Sequence, residues 1–209
     1  MQGFQRSATN IIAAVTAAAW LIALALGQSE RAAYGLGFIA ARFSGFLLPF
    51  PTVPAVLTPL TATLVHGGLI HLGFNLLIFV WCGREVERVI GAAGLIFLYV
   101  IGAYAAAAAQ FVASPHATVP VIGASGAISA VIGAFALSFG RAKAFTSNLR
   151  LNRWINVGWL MVAWIVLQLM MGWLAGGHGY LLATPAHVGG FAAGLLLQRP
   201  LLLWHYRKA

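Results

Sequence analysis

The sequence predicts an all-α fold: a polytopic membrane protein of six transmembrane helices, N-in/C-in. Three observations predict it. Of 209 residues, 61% are hydrophobic and 7% are charged. A soluble domain carries about 25% charged residues, so this chain cannot cover a water-facing surface. The charges cut the chain into long charge-free runs, and a spanning helix needs about 20 apolar residues. Finally, the 12 Lys+Arg gather on alternate connections, as in a membrane protein with cytoplasmic termini. The formal net charge of +9 is spread as in membrane-flanking loops, not concentrated in a phosphate groove. The composition therefore excludes a cytosolic globule, a disordered chain and a nucleic-acid partner, and makes the lipid bilayer the expected surroundings. A single cysteine, Cys82, removes disulfide frameworks and Cys-rich metal sites.

The elements follow in order. Arg6 and Glu30 bracket 23 charge-free residues, which hold one helix near Asn10–Gly27. Arg42 and Arg84 bracket 41. Pro51, Pro54 and Pro59 forbid a continuous helix in the first part of that run. It reads as a long external loop, about 28–63, then a second helix that is clean from about His71 to Gly83. Within the loop, Gly35–Leu48 is apolar but interrupted and is expected to lie in the membrane interface. Arg88 and Arg141 bracket 52 residues, enough for two helices broken at Ser114-Pro115-His116. Arg153 and Arg199 bracket 45, again two helices, broken at Gly176-Gly177-His178-Gly179.

With the N-terminus inside, the cytoplasmic segments carry ten basic residues: Arg6, Arg84, Arg88, Arg141, Lys143, Arg150, Arg153, Arg199, Arg207 and Lys208. The external ones carry two, Arg31 and Arg42. No cleavable signal is expected. No internal repeat argues for a transporter built of duplicated halves.

Polar residues inside membrane helices are costly and call for an explanation. His71 and Asn75 are four apart, on one face of the second helix. Ser125 starts the fourth, in Gly123-Ala124-Ser125-Gly126. His187 starts the sixth, in Ala186-His187-Val188-Gly189-Gly190. All three helices begin on the external side, so four polar residues share one depth. Acyl transfer is the chemistry they suit. Ser125 can be a nucleophile and His187 its general base. His71 and Asn75, with the backbone N–H of Ser125, can donate to a developing oxyanion. The acids are Glu30, Glu85 and Glu87. Two lie on the cytoplasmic side and one in a loop, so a Ser–His dyad is expected, not a triad. Small residues (Gly126, Ala130, Gly133-Ala134, Gly190, Gly194) would let the fourth and sixth helices approach closely.

These motifs resemble those of the rhomboid intramembrane serine proteases. Gly123-Ala124-Ser125-Gly126 is similar to the family's G-x-S-G. His66 to Asn75 is similar to its H-x4-H-x3-N segment, and His187 with Gly190 and Gly194 to its catalytic-histidine helix. Gly83–Arg88 resembles the polar turn after the second helix. The match covers about 45–200, within one rhomboid-like membrane domain over 1–209. The resemblance implies Ser125 as nucleophile, His187 as base, His71 and Asn75 as oxyanion donors, and the fifth helix as a mobile wall. Many bacterial members carry an aromatic residue four after the serine, stacked on the catalytic histidine. Here that residue is Ser129, so packing or a hydrogen bond, from Ser129 itself for instance, must orient His187. The family's Trp-Arg pair in the first loop is absent, although Ala41-Arg42-Phe43 lies there.

The expected partners are transmembrane protein substrates, cut near the external face, with no cofactor and no metal. The expected location is a bacterial inner membrane. His66 reads as a loop anchor, and His116, His178 and His205 as loop or interface residues. Trp154, Trp173 and Trp204 read as an aromatic belt. Two other classes compete. A catalytically silent, client-binding relative would not need Ser125 and His187. A small channel or transporter would place its polar residues at the midplane.

Overall fold

The structure, a computed structural model, describes residues 7–139, 146–174 and 183–208. Arg6, Arg141, Lys143, His178 and the predicted break at Gly176-Gly177-His178-Gly179 lie outside the described residues. Seven α-helices occur among the described residues: α1 (Ala8–Ala25), α2 (Ser29–Leu36), α3 (Thr58–Thr61), α4 (Leu69–Ala113), α5 (Ser125–Phe139), α6 (Leu149–Leu174) and α7 (Thr184–His205). Among the described residues, three stretches, Ala8–Ala25, Leu69–Ala113 and Leu149–Met170, are long and apolar enough to cross a membrane. The described part of α5 runs for 15 residues, and α7 interrupts its apolar run with Gln198, Arg199 and Pro200.

α4 is two helices in one run. Gly91 sits between them at φ 73° and ψ 167°, a conformation glycine tolerates and β-carbons resist. A Cβ there would also lie 2.6 Å from the His205 Nδ1, so the end of α7 packs into the kink.

The second helix continues past Gly83 and buries Val86 and Ile90. The stretch Gly83–Arg88, which by resemblance reads as a polar turn, is instead helical and partly used for packing. The Glu87 carboxylate accepts hydrogen bonds from the backbone N–H groups of Ala8 (2.8 Å) and Thr9 (3.0 Å), and from the Thr9 hydroxyl (2.6 Å). The first four N–H groups of a helix lack intrahelical acceptors and carry partial positive charge. Glu87 therefore caps α1 from a neighbouring helix. Ser7 Oγ accepts from the Asn10 N–H at the same end. Arg84 donates to the Asn10 side-chain oxygen, and Arg88 pairs with Glu85.

α5 lies in the middle of the bundle, wrapped by α4 and α7, and ten of its residues are buried. The seam is made of small residues. A Cβ on Gly190 would overlap the Gly126 carbonyl oxygen, one on Gly194 the Ala130 oxygen, and one on Gly133 the Phe191 oxygen. Around it, Phe79, Leu95, Leu98, Ile128, Val131 and Phe191 form the core. Small residues matter here because lipid tails supply no hydrophobic drive between helices, so close packing must.

The long first connection has more structure than a loop. Besides α2 and α3 it holds 3-10 turns at Ala40–Ser44, Ala55–Leu57 and Ala62–Leu64. Arg42 ties it together, donating to Thr52 Oγ1 and the Val53 carbonyl at 2.7 Å each. Within the segment expected at the interface, Phe38–Ala41 is buried, whereas Phe43, Phe46 and Leu47 are exposed. The difference arises from backbone pairing. Phe38 and Val121 exchange N–H···O bonds of 2.9 and 2.8 Å, which draws the connection onto the strap leading to α5.

Candidate active site

The first turns of α4, α5 and α7 meet at one end of the bundle. Before α5 the chain must turn sharply. Gly123 does so at φ +109°, with its N–H donating to the Ala62 carbonyl at 3.0 Å. Ser125 then opens α5, where the leading backbone N–H groups have no acceptor within the helix. His187 sits in the first turn of α7, after Thr184 and Pro185, with its N–H on the Ala183 carbonyl at 3.1 Å. The glycine seam holds the two helices close, and Ser125 Oγ lies 2.9 Å from His187 Nε2. Both residues are 6% exposed.

His71 lies beside them. Its Nδ1 accepts from the Gly67 N–H at 3.3 Å, which leaves Nε2 as the protonated nitrogen. Nε2 faces Gly123. The point a Cβ on Gly123 would occupy is 2.7 Å from that nitrogen and 3.8 Å from Ser125 Oγ. Asn75, one turn further along α4 and buried, donates one Nδ2 hydrogen to the His71 carbonyl at 2.8 Å. Its Oδ1 has no partner. Nδ2 keeps a second hydrogen for another acceptor.

His66, in the connection before α4, closes the far side. Its ring meets that of His71 edge-on, centroids 5.0 Å apart. Its Nε2 accepts from the Ala124 N–H at 3.4 Å and its carbonyl from the Trp20 indole at 3.0 Å. Burial, with His71 nearby, holds the His66 imidazole down at about 3, so it is neutral and free to accept. It anchors the strap before Ser125 and ties α1 to the site. His116 is exposed and His205 packs against the kink. Trp154, Trp173 and Trp204 are exposed.

The carboxylates are elsewhere: Glu85 and Glu87 sit at the Arg84–Arg88 end of the second helix, and Glu30 is in α2. The site as described is a hydroxyl, an imidazole and neutral donors, a set that suits proton transfer to and from an attacking serine.

Two residues of this region, Gln110 and Trp164, escape a reading by motif, and a third, Ser129, is bonded otherwise than its place after the serine suggests. Gln110, buried near the end of α4, lines a cavity of about 30 Å³ together with Ser125, Gly126, Val121 and Ala186. Its Oε1 has no partner. Such a volume can hold a water molecule. Ser129 does not touch His187 by hydrogen bond. Its Oγ donates to the Ser125 carbonyl at 2.6 Å and accepts from the Trp164 indole at 2.8 Å. Trp164, from α6, stands edge-on to His187 with centroids 6.3 Å apart. Gln110, ending an alanine run, is marked in the sequence by that position, whereas Trp164 is one of several tryptophans in its run and carries no such signal.

Residues 54–204 match the Rhomboid domain family. The chain is 30% identical over 141 residues to the "Rhomboid-type serine protease 2" of Emericella nidulans, a match covering 64% of this chain and 24% of that protein. It is 29% identical over 136 residues to the "Rhomboid protease GluP" of Bacillus subtilis, covering 65% and 24%. Over 148 residues it is 29% identical to the "RHOMBOID-like protein 4" of Arabidopsis thaliana, covering 69% and 34%. The chain thus spans about a quarter to a third of the length of these curated relatives.

Proposed function

The chain belongs to the rhomboid family, and from that premise we propose that it is an intramembrane serine endopeptidase using Ser125 and His187 as a dyad. The observation that carries the reading is the 2.9 Å approach of Ser125 Oγ to His187 Nε2. Two separate helices bring the pair together in a buried place. As Oγ bonds the scissile carbonyl carbon, its proton passes to His187 Nε2. The carbonyl oxygen takes up negative charge opposite the Ser125 N–H, the His71 Nε2–H and the free Nδ2–H of Asn75. The imidazolium then gives its proton to the departing amide nitrogen, leaving Ser125 acylated. Water attacks next: His187 removes its proton, the acyl carbon accepts its oxygen, and the proton returns to Ser125 as the acid leaves. No step calls for a cofactor or metal.

In this reading the protein crosses the membrane six times with its termini inside, and the dyad lies near the external face of what is expected to be a bacterial inner membrane. The substrates are transmembrane segments of other proteins. A helical segment hides its carbonyls in its own hydrogen bonds and must unwind before attack. Good substrates therefore carry Gly, Pro or polar residues near the cut, in the external part of their span, with a small residue just before it. α6, with exposed Trp159, Met170 and Trp173, is the wall that admits them, on the side facing the first half of α4.

The test is cleavage of a single-span reporter in liposomes. Activity should survive EDTA and fall by several orders of magnitude in both Ser125→Ala and His187→Ala. Full activity in Ser125→Ala, or loss on chelation, overturns the assignment. A chain that binds the reporter, cuts nothing and ignores fluorophosphonates would be a silent, client-binding relative.

A further inference from the structure

Among the buried groups at the site that the acyl-transfer steps leave unexplained are the Ser129 hydroxyl and the Trp164 indole. Resting on the serine-protease reading, we propose that Trp164 is a positioning residue for His187, held in place by Ser129.

The dyad has an orientation problem. Among the described residues the His187 ring is hydrogen-bonded through Nε2, and in a triad it is a carboxylate on Nδ1 that keeps such a ring from swinging. Here Glu85 is paired with Arg88 and Glu87 caps α1, while Glu30 lies in α2. The restraint must come from neighbours that are not acids.

The hydrogen bonds fix which neighbour. An indole N–H only donates, and a hydroxyl carries one hydrogen. The Ser129 hydrogen goes to the Ser125 carbonyl at 2.6 Å. Its lone pairs therefore receive the Trp164 N–H at 2.8 Å. Ser129 has no hydrogen left for His187, so it acts on the base only through Trp164. The indole so held presents its ring to the imidazole at 68°, centroids 6.3 Å apart. Ser129 is fully buried and Trp164 is 5% exposed, so an indole left without its acceptor would bear the cost of an unsatisfied buried donor. Trp164 has one good place to stand, and it is against His187. The wall behind the base thus comes from α6, a helix that carries neither member of the dyad. Displacing α6 outward withdraws the wall, which couples the seating of that helix to the readiness of the dyad.

The experiment uses the full chain in detergent and three readouts: the second-order rate of fluorophosphonate labelling at Ser125, kcat and KM on the single-span reporter, and Tm. Ser129→Ala and Trp164→Phe remove the same hydrogen bond. Each should lower the labelling rate and kcat about 10-fold, inside the range of up to about 10²-fold that a misplacement of roughly 1 Å can cost, with KM nearly unchanged. Trp164→Leu, which removes the aromatic wall as well, should fall further. The double variant Ser129→Ala/Trp164→Phe should be no worse than the worse single variant, because one bond cannot be lost twice. Wild-type labelling rates in both single variants overturn the proposal. So do additive losses in the double variant, or losses confined to KM or Tm. If Trp164→Phe fails to fold, Ser129→Ala alone decides, since alanine suits any helix. A wild-type chain that resists labelling overturns the protease reading itself. Labelling that is equal in wild type and Ser129→Ala overturns only the positioning role.

Discussion

Gly123→Ala probes the space between His71 and Ser125. The new Cβ would fall 2.7 Å from His71 Nε2 and 2.8 Å from its Cε1, where ordinary contact begins near 3.4 Å. The imidazole must retreat by about 0.7 Å, the difference between 2.7 and 3.4 Å. Oxyanion donors work in a window of about 2.7–3.1 Å, so a shift of that size takes His71 out of it. Losing one donor lowers turnover about 10²–10³-fold, or roughly 2.7–4 kcal/mol of transition-state stabilisation. The substitution also strains the backbone at φ +109°, by about 1–3 kcal/mol. Gly45→Ala separates the two effects, because Gly45 has φ +93° with nothing within 4 Å of its Cβ position. Reporter cleavage is measured per folded enzyme, with Tm alongside. Both variants should lose Tm, but only Gly123→Ala should lose kcat. If Gly123→Ala turns over like Gly45→Ala, the space is not part of the catalytic surface and the argument placing His71 there is wrong.

Four further outcomes are expected. Glu87→Ala uncaps α1 by removing the acceptor of two backbone N–H groups and the Thr9 hydroxyl. Thermal unfolding should show a loss of about 1–2 kcal/mol, with kcat per folded enzyme unchanged. His71→Ala and Asn75→Ala should depress kcat more than they raise KM, and less than Ser125→Ala does. Steady-state kinetics showing wild-type turnover in both would make these residues packing partners only. Gly190→Val drives a side chain into the Gly126 carbonyl and pushes α7 away from α5. Since Oγ···Nε2 is 2.9 Å and a hydrogen bond fails by about 3.5 Å, fluorophosphonate labelling should be abolished in whatever fraction folds. A disulfide between α6 and the first half of α4 should slow cleavage of a membrane substrate and spare a soluble peptide. Equal rates on both would exclude admission between these helices.

How much of this was legible in the sequence depended on the range of the interaction. Charge-free runs marked α1 and α6, because the cost of burying a charge acts residue by residue. The polar residues at the starts of α4, α5 and α7 are visible because His71, Asn75, Ser125 and His187 stand out within otherwise apolar runs. Long-range pairings were not visible. Glu87 meets Ala8 and Thr9 across 79 and 78 positions, and no local pattern records that, so Gly83–Arg88 reads locally as a polar turn. The Gly91 kink was hidden for a similar reason, because the joint is filled by His205 from the far end of the chain. Trp164 sits in an apolar run where any large side chain satisfies the pattern. Only the acceptor on α5 gives it a place.

The enclosure of α5 has a consequence for where a change of side-chain size can be absorbed. Ten of its residues are buried, and the Gly126 and Ala130 carbonyl oxygens stand where a β-carbon on Gly190 or Gly194 would fall. Volume added on α7 is therefore met by the backbone of α5, which cannot change rotamer as a side chain can. On α1 and α6, where Ile11, Leu21, Trp159 and Val162 are exposed, a larger or smaller side chain displaces nothing comparable. Variation in size belongs to those outer faces, and the seam between α5 and α7 keeps its small residues.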